Sequence, residues 1–226
     1  MKIAANVIVT ATFAVALLLF AGCKTASAQK TSDIELFNGT NFEGWTFVMK
    51  NNADPMKTWS VTNGVIHCTG TPTGYARTVE TYSNYTLTVV WRFVKVVPHE
   101  DNSGILIHIQ PPDVVWPKNV QCQGKYQHQG DLILQGGVSA DGHPSNPKDV
   151  TIPEIVAHRE EPVGEWNTDT IYCNGRDIYL SVNGGEVVNK ITGCSLMSGY
   201  IGIQSEGGEI EIRKMVLSPF IGIITP

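Results

Sequence analysis

From Asp33 onward the chain is a succession of short runs rich in Val, Ile, Thr and Tyr, punctuated by Gly, Asn, Asp and Pro. Apolar side chains recur at a period of two or fill whole runs, and almost nothing repeats at the period of a helix, so the pattern predicts an all-β domain. Thr86–Val97 (TLTVVWRFVKVV) and Gly104–Gln110 (GILIHIQ) read as long strands. Asp131–Leu134, Thr170–Cys173, Asp177–Val182, Glu186–Val188, Tyr200–Gln204 and Glu209–Leu217 read as further strands. Asn63-Gly64, Asn174-Gly175 and Asn183-Gly184 place residues tolerant of left-handed backbone in pairs, which is the strongest short-range signal for a hairpin. Neighbouring strands should therefore run antiparallel. The stretch from Gly136 to Pro162, broken by Pro144, Pro147, Pro153 and Pro162, predicts a long excursion across one face.

Strands in this number with no helices to cover them must bury their apolar faces on each other, which predicts a sandwich or jelly roll of two antiparallel sheets. If one sheet is curved, its hollow side forms a groove lined by alternate residues of each strand.

The first residues depart from this pattern. Lys2 precedes an apolar run from Val7 to Phe20, the form of an export signal covering residues 1–28, with the folded domain spanning 33–219. Phe20-Ala21-Gly22-Cys23 reads as a lipobox that would attach lipid at Cys23, and Ala26-Ser27-Ala28 as a competing ordinary cleavage site. Either, like the third reading of a retained transmembrane anchor, places the domain outside the cytoplasm, as a periplasmic or outer-membrane-associated lipoprotein in the first case. Export permits disulfides. Cys173 and Cys194 flank a hairpin and are the pair expected to bridge, with buried free thiols as the alternative; no cysteine spacing matches a zinc site.

Composition narrows the partners. The 226 residues carry a formal charge of −5 and only 16% charged side chains. That excludes the basic footprint needed for nucleic acid or for an anionic membrane surface, leaving a lipid anchor as the route to a membrane.

Several side chains then stand out as chemistry. Gln121, Gln123 and Lys125 share strand parity, as a sugar-binding row or a solvated outer face. His108 alternates with Leu106 and Gly104, as a proton-transfer group or a hydrogen-bonded strand-end histidine. Arg92 lies in an apolar strand and must find a partner, either Asp131 or another carboxylate, or substrate oxygen atoms. Asp131 could serve as a base or metal ligand, or cap a turn. Trp116, on a loop before Pro117, suits stacking on a sugar ring, while Trp45, Trp59 and Trp166 read as core. Asn102, Glu165 and Asn167 could bind ligand or cap turns. His158 and Arg159 fall in the long excursion, as rim contacts or solvated loop.

Certain segments carry a resemblance when taken in order. They are Leu36-Phe37-Asn38-Gly39, Gly44-Trp45, Trp59-Ser60-Val61, Asn63-Gly64-Val65-Ile66, Trp91-Arg92 and Asn102-Ser103-Gly104-Ile105, then Trp116-Pro117-Lys118 with Gln123 and Gly130-Asp131. Gly164-Glu165-Trp166-Asn167, Val182-Asn183-Gly184 and Gly202-Ile203-Gln204-Ser205-Glu206-Gly207 complete the set. From Leu36 to Pro219 the chain resembles the 3-keto-disaccharide hydrolase family. The resemblance implies a concanavalin A-like jelly-roll sandwich. It also implies cleavage of a glycosidic bond in a 3-keto-glycoside or disaccharide by proton abstraction, elimination and hydration, with a carbohydrate substrate and no settled cofactor or metal. On that scheme His108, Arg92 and Asp131 are the catalytic candidates, and Asn102, Gln121, Gln123, Lys125 and Trp116 bind substrate. Gln121 departs from the family's usual Glu, which puts acid–base work there in doubt and keeps open a lectin-like binding module. An ordinary glucanase would need two carboxylates close together on one strand, and Gln121–Lys125 holds none.

Overall fold

The structure is a computed structural model describing residues 32–95, 101–156 and 159–222. The expected export signal with Cys23, the end of the Thr86–Val97 run, and His158 lie outside the described residues.

Among these residues fifteen strands form two antiparallel sheets. They are β1 (Ile34–Glu35), β2 (Trp45–Met49), β3 (Trp59–Thr62), β4 (Val65–Cys68), β5 (Gly74–Thr78), β6 (Tyr85–Phe93), β7 (Gly104–Ile109) and β8 (Asn119–Gln123). Then follow β9 (Leu132–Gln135), β10 (Val150–Ile152), β11 (Asn167–Asn174), β12 (Asp177–Val182), β13 (Val187–Ile191), β14 (Tyr200–Ser205) and β15 (Ile210–Pro219). One sheet runs β13-β12-β11-β6-β15-β4-β3, with β1 on β15; the other runs β10-β9-β8-β7-β14-β5-β2. The fold is the concanavalin A-like jelly-roll sandwich that the strand pattern and the resemblance lead to. The three Asn-Gly turns each join antiparallel neighbours, β3 to β4, β11 to β12 and β12 to β13. At the first, Asn63 and Gly64 both adopt positive φ, as a tight hairpin turn with the twist of its strands requires. The Gly136–Pro162 excursion holds one short strand, β10, which extends the second sheet beside β9.

Alternation decides what each face holds. Along β8, Val120 and Cys122 enter the core, and Asn119, Gln121 and Gln123 take the opposite face. Along β6, Leu87, Val89, Trp91 and Phe93 enter the core from the other sheet. The four described cysteines are buried free thiols, so the expected Cys173–Cys194 bridge is not formed. Burial pushes the Cys173 thiol up to about 12.

His108 breaks the alternation. Tyr200 pairs with Ile109 but Gly202 pairs with Leu106, so Ile107 and His108 together oppose a single residue of β14. His108 takes the bulge conformation, at φ 53°. The extra residue turns the imidazole away from the face of Leu106 and Gly104. It is fully buried, edge-on to Tyr85 at 6.0 Å between ring centres, and neither ring nitrogen has a hydrogen-bond partner among the described residues. Desolvation lowers its pKa to about 4.

A second buried ionisable group opposes it. Asp169 accepts from Trp91 Nε1 at 2.9 Å and from Gln129 Nε2 at 2.7 Å. Desolvation raises its pKa to about 6, with those two hydrogen bonds pulling the other way. For His108 the folded pKa lies below the unfolded value, so acidification from about 6.5 to 4 removes stability. For Asp169 the folded pKa lies above the unfolded value, so the same acidification restores stability, and a rise in pH through 6 removes it. The two slopes offset each other, at a scale on the order of 3 kcal/mol each. Measured against wild type by urea unfolding across pH 4 to 7, Asp169→Asn, whose new amide Gln129 can satisfy by flipping, should lose stability on acidification, and His108→Phe should gain it. Identical profiles for all three proteins would refute the assignment.

Candidate functional site

The second sheet presents its non-core face as a hollow divided into two chemical halves. Across β5, β7 and β14 that face is apolar, formed by Tyr75, Leu106 and Ile109 with Val48 and Tyr200 packed on them. Arg77 lies 3.9 Å over the Tyr200 ring, and its guanidinium forks onto Asp113 through two hydrogen bonds of 2.9 and 2.8 Å. Asp113 belongs to the β7–β8 loop, so this pair ties to the sheet the loop that carries Trp116.

The other half is polar. A cleft of about 420 Å³ is lined by Asn102, Gln121, Gln123, Gln135, Glu206 and Trp116, with Ile133, Asp149 and Thr151 completing the wall. Of the five residues expected to bind substrate, four therefore converge here. Trp116 stands at the rim, 53% exposed. Lys125 lies just beyond the end of β8, where its charge acts on Glu206.

The amides of the floor form two hydrogen-bonded groups, a triad of Gln121, Gln123 and Gln204 and a pair of Asn119 and Gln135. Gln121 Nε2 donates to Gln123 Oε1 and to Gln204 Oε1, both at 3.0 Å. Gln123 Oε1 also accepts from the backbone N–H groups of Gly124 at 3.0 Å and Lys125 at 3.1 Å. Gln135 Oε1 accepts from Asn119 Nδ2 at 2.8 Å. Gly104 makes room for the network, since a Cβ there would lie 2.7 Å from Gln121 Nε2 and 2.9 Å from the Cys122 carbonyl oxygen.

Glu206 is the residue that the reading from sequence passed over as a site. It follows β14, and its Oε2 accepts from Asn102 Nδ2 at 2.6 Å. Partial burial raises its pKa, while the Asn102 hydrogen bond and the Lys125 charge pull the other way. Its parity with Gly202 and Gln204 on β14 was the available signal.

Three expected catalytic residues are not in the cleft. His108 is turned into the core by its bulge. Arg92 projects from the outer face of the opposite sheet, donating to Glu211 Oε2 at 2.8 Å and to the Gly164 carbonyl at 2.8 Å. It shares the Trp166 ring with Arg213, each guanidinium 4.4 Å from the ring centre. Trp166 is thus half-buried on that outer face, in contrast to the buried Trp45 and Trp59. Asp131 locks a loop: its Oδ1 accepts from the Glu154 N–H at 2.8 Å, and its Oδ2 lies 3.5 Å from His128 Nδ1. Asn167 also shapes loops, accepting from the Glu161 N–H and from Asn183 Nδ2.

A larger cavity, about 570 Å³, opens at the end of the sandwich between Tyr126–Gln129 and Arg159–Pro162. Burial, together with the nearby Asp169 and Glu154, raises Glu160 there to about 7. That carboxylate is engaged by the Gln127 N–H at 2.8 Å, and Arg159 is paired with Glu186, so these groups hold the loops together. The smaller cleft, with unengaged amide groups and an exposed aromatic at its rim, has the composition of a ligand site.

The sequence profile of the 3-keto-alpha-glucoside-1,2-lyase-like domain matches residues 32–218. No curated protein matches the chain. Among solved structures the chain is similar to a protein assigned as a glycosyl hydrolase from Parabacteroides distasonis ATCC 8503, with TM-score 0.61, 20% identity, 83% of this chain and 93% of that one. It is similar to the Bacillus licheniformis β-glucanase, with TM-score 0.57, 14% identity, and coverage of 84% and 98%. It is also similar to the carbohydrate-binding module CBM66 of Bacillus subtilis, with TM-score 0.55, 12% identity, and coverage of 77% and 96%. At these identities the likeness is one of fold.

If Gly104 exists to seat the Gln121 side chain, Gly104→Ala should destabilise the protein by about 1–3 kcal/mol through overpacking. The shift should appear in the urea midpoint without a change in slope, and an unchanged midpoint would contradict the packing described.

Proposed function

Since the chain belongs to the 3-keto-alpha-glucoside-1,2-lyase-like family, we propose that its cleft cleaves a glycosidic bond in a sugar oxidised to a ketone at carbon 3. The observation that carries this reading is a half-buried carboxylate, Glu206, set beside amides in a carbohydrate-sized cleft whose other carboxylate, Asp149, is exposed and accepts from the Gly136 N–H. A ketone at carbon 3 acidifies the proton on carbon 2, so one base is enough. Glu206 takes that proton, and the electron pair moves into a carbon 2–carbon 3 double bond with negative charge on the ketone oxygen. When the ketone re-forms, a carbon 1–carbon 2 double bond appears and the carbon 1 substituent leaves as an alkoxide, taking up a proton as the alcohol. Addition of water across the new double bond completes net hydrolysis. A carboxylate whose pKa is raised is the stronger base for the first step. Lys125 supplies positive charge beside it, Trp116 a stacking surface and Asn102 the orientation of Glu206.

A non-catalytic glycan-binding module is the second reading, favoured by the neutral Gln121 and Gln123 pair and by the likeness to CBM66. Glu206→Gln separates the two. The enzyme reading expects turnover of a 3-keto-glucoside to fall by 10²-fold or more, with calorimetric binding retained. Wild type that binds unoxidised oligosaccharide tightly and leaves 3-keto-glucosides intact would establish the binding module.

Export and lipid attachment at Cys23 remain part of this proposal on the strength of the N-terminal sequence. Cells fed a labelled fatty acid should label the wild-type protein and not Cys23→Ala; equal labelling would remove the anchor from the proposal.

A further inference from the structure

The amide network has a polarity that the backbone dictates. A side-chain amide can be placed either way round in isolation, but Gln123 cannot: the Lys125 N–H, and the Gly124 N–H that Gln123 shares with the Ser103 carbonyl, both point at one of its terminal atoms, which must be the oxygen. The group that Gln121 directs at that same oxygen must then be its nitrogen. Gln121 donates the other way to Gln204, whose facing atom is therefore also an oxygen. Three side chains are oriented by two backbone donors. Within this triad, two groups have no hydrogen-bond partner among the described residues: the Gln123 amide nitrogen, a donor, and the Gln121 carbonyl oxygen, an acceptor; elsewhere in the cleft lining the same holds of Gln135 Nε2 and Asn102 Oδ1.

This polarity discriminates between ligand oxygens. A hydroxyl both donates and accepts, so it can sit against either group. A ketone oxygen only accepts, and against the Gln121 oxygen it would meet a second acceptor. We propose that Gln123 is a specificity-determining donor of this cleft, holding the ketone oxygen of the substrate through its Nε2, and that Gln121 is a positioning residue whose donated hydrogen bond reinforces the orientation set by the backbone. The inference rests on the 3-keto-sugar reading above and adds to it the seat of the ketone. With the ketone at Gln123, the oxygen that gains negative charge as Glu206 takes the carbon 2 proton already faces a fixed donor.

Two substitutions test this in separate ways. In Gln123→Glu one carboxylate oxygen keeps the Gly124 and Lys125 hydrogen bonds and the other replaces the donor by an acceptor. Calorimetry should show affinity for a 3-keto-glucoside falling at least 10-fold more than affinity for the parent glucoside, whose hydroxyl can turn to donate. Equal losses for the two ligands, or no loss for either, would overturn the role of Gln123. In Gln121→Glu an ionised carboxylate would face the fixed Gln123 oxygen; Gln204 can flip to donate to it, and Gln123 cannot. The introduced carboxyl should therefore hold its proton in the folded state above its unfolded pKa, and stability should be lost as pH rises. Relative to wild type, its melting temperature should drop by at least about 3 °C more at pH 8 than at pH 4.5. A gap that does not change with pH would overturn the polarity itself. Wild type that leaves 3-keto-glucosides intact would instead count against the function proposed for the site, and the Gln121→Glu comparison would still read the network independently.

Discussion

A strand gives each side chain one of two faces, and in a sandwich one face is the apolar core while the other meets ligand or solvent. Everything chemical in this protein follows from how the sheet containing β8 distributes its residues under that rule. Val120 and Cys122 close the core, and Gln121 and Gln123 between and beyond them are left to the hollow. One added residue in β7 exchanges the faces locally, which is why His108 lies beside Tyr85 in the interior while Leu106 lines the hollow.

The hollow is then built by neighbouring strands with different compositions. β5, β7 and β14 supply an apolar half, clipped by Arg77 and Asp113, and β8 and β9 supply amides. Buried amides are tolerated when their hydrogen bonds are made, and here backbone N–H groups and neighbouring amides make most of them. Gln121 and Gln123 line the cleft and each keeps one unpaired amide group among the described residues, so the groups available to bind are ones the fold leaves over. Glu206 belongs to the same logic, half-buried at the end of β14 and held by Asn102.

The interior carries charge chemistry that has no contact with the cleft. His108 is kept neutral by burial, and Asp169 is kept ionisable by Trp91 and Gln129. Their opposite responses to acid make them a balanced pair in stability. Arg92 and Asp131, which look like chemistry in a linear chain, are structural ties: the first clamps the outer face of the opposite sheet to Glu211 and Gly164, the second holds the Glu154 loop.

By itself the sequence determined the class of fold, the hairpins at Asn63-Gly64, Asn174-Gly175 and Asn183-Gly184, most strand positions, and the shared face of Gln121 and Gln123. Those follow from local rules, a period of two and the φ preferences of Asn and Gly, that act within a few residues. The tertiary structure alone decided the fates of His108, Arg92 and Asp131 and the entry of Glu206 into the cleft. A bulge depends on the register of the partner strand β14, and an ion pair on which strand lies alongside. Glu211 reaches Arg92 because β15 pairs with β6, and Glu206 reaches Asn102 because their two segments meet side by side, over sequence separations that no local pattern encodes.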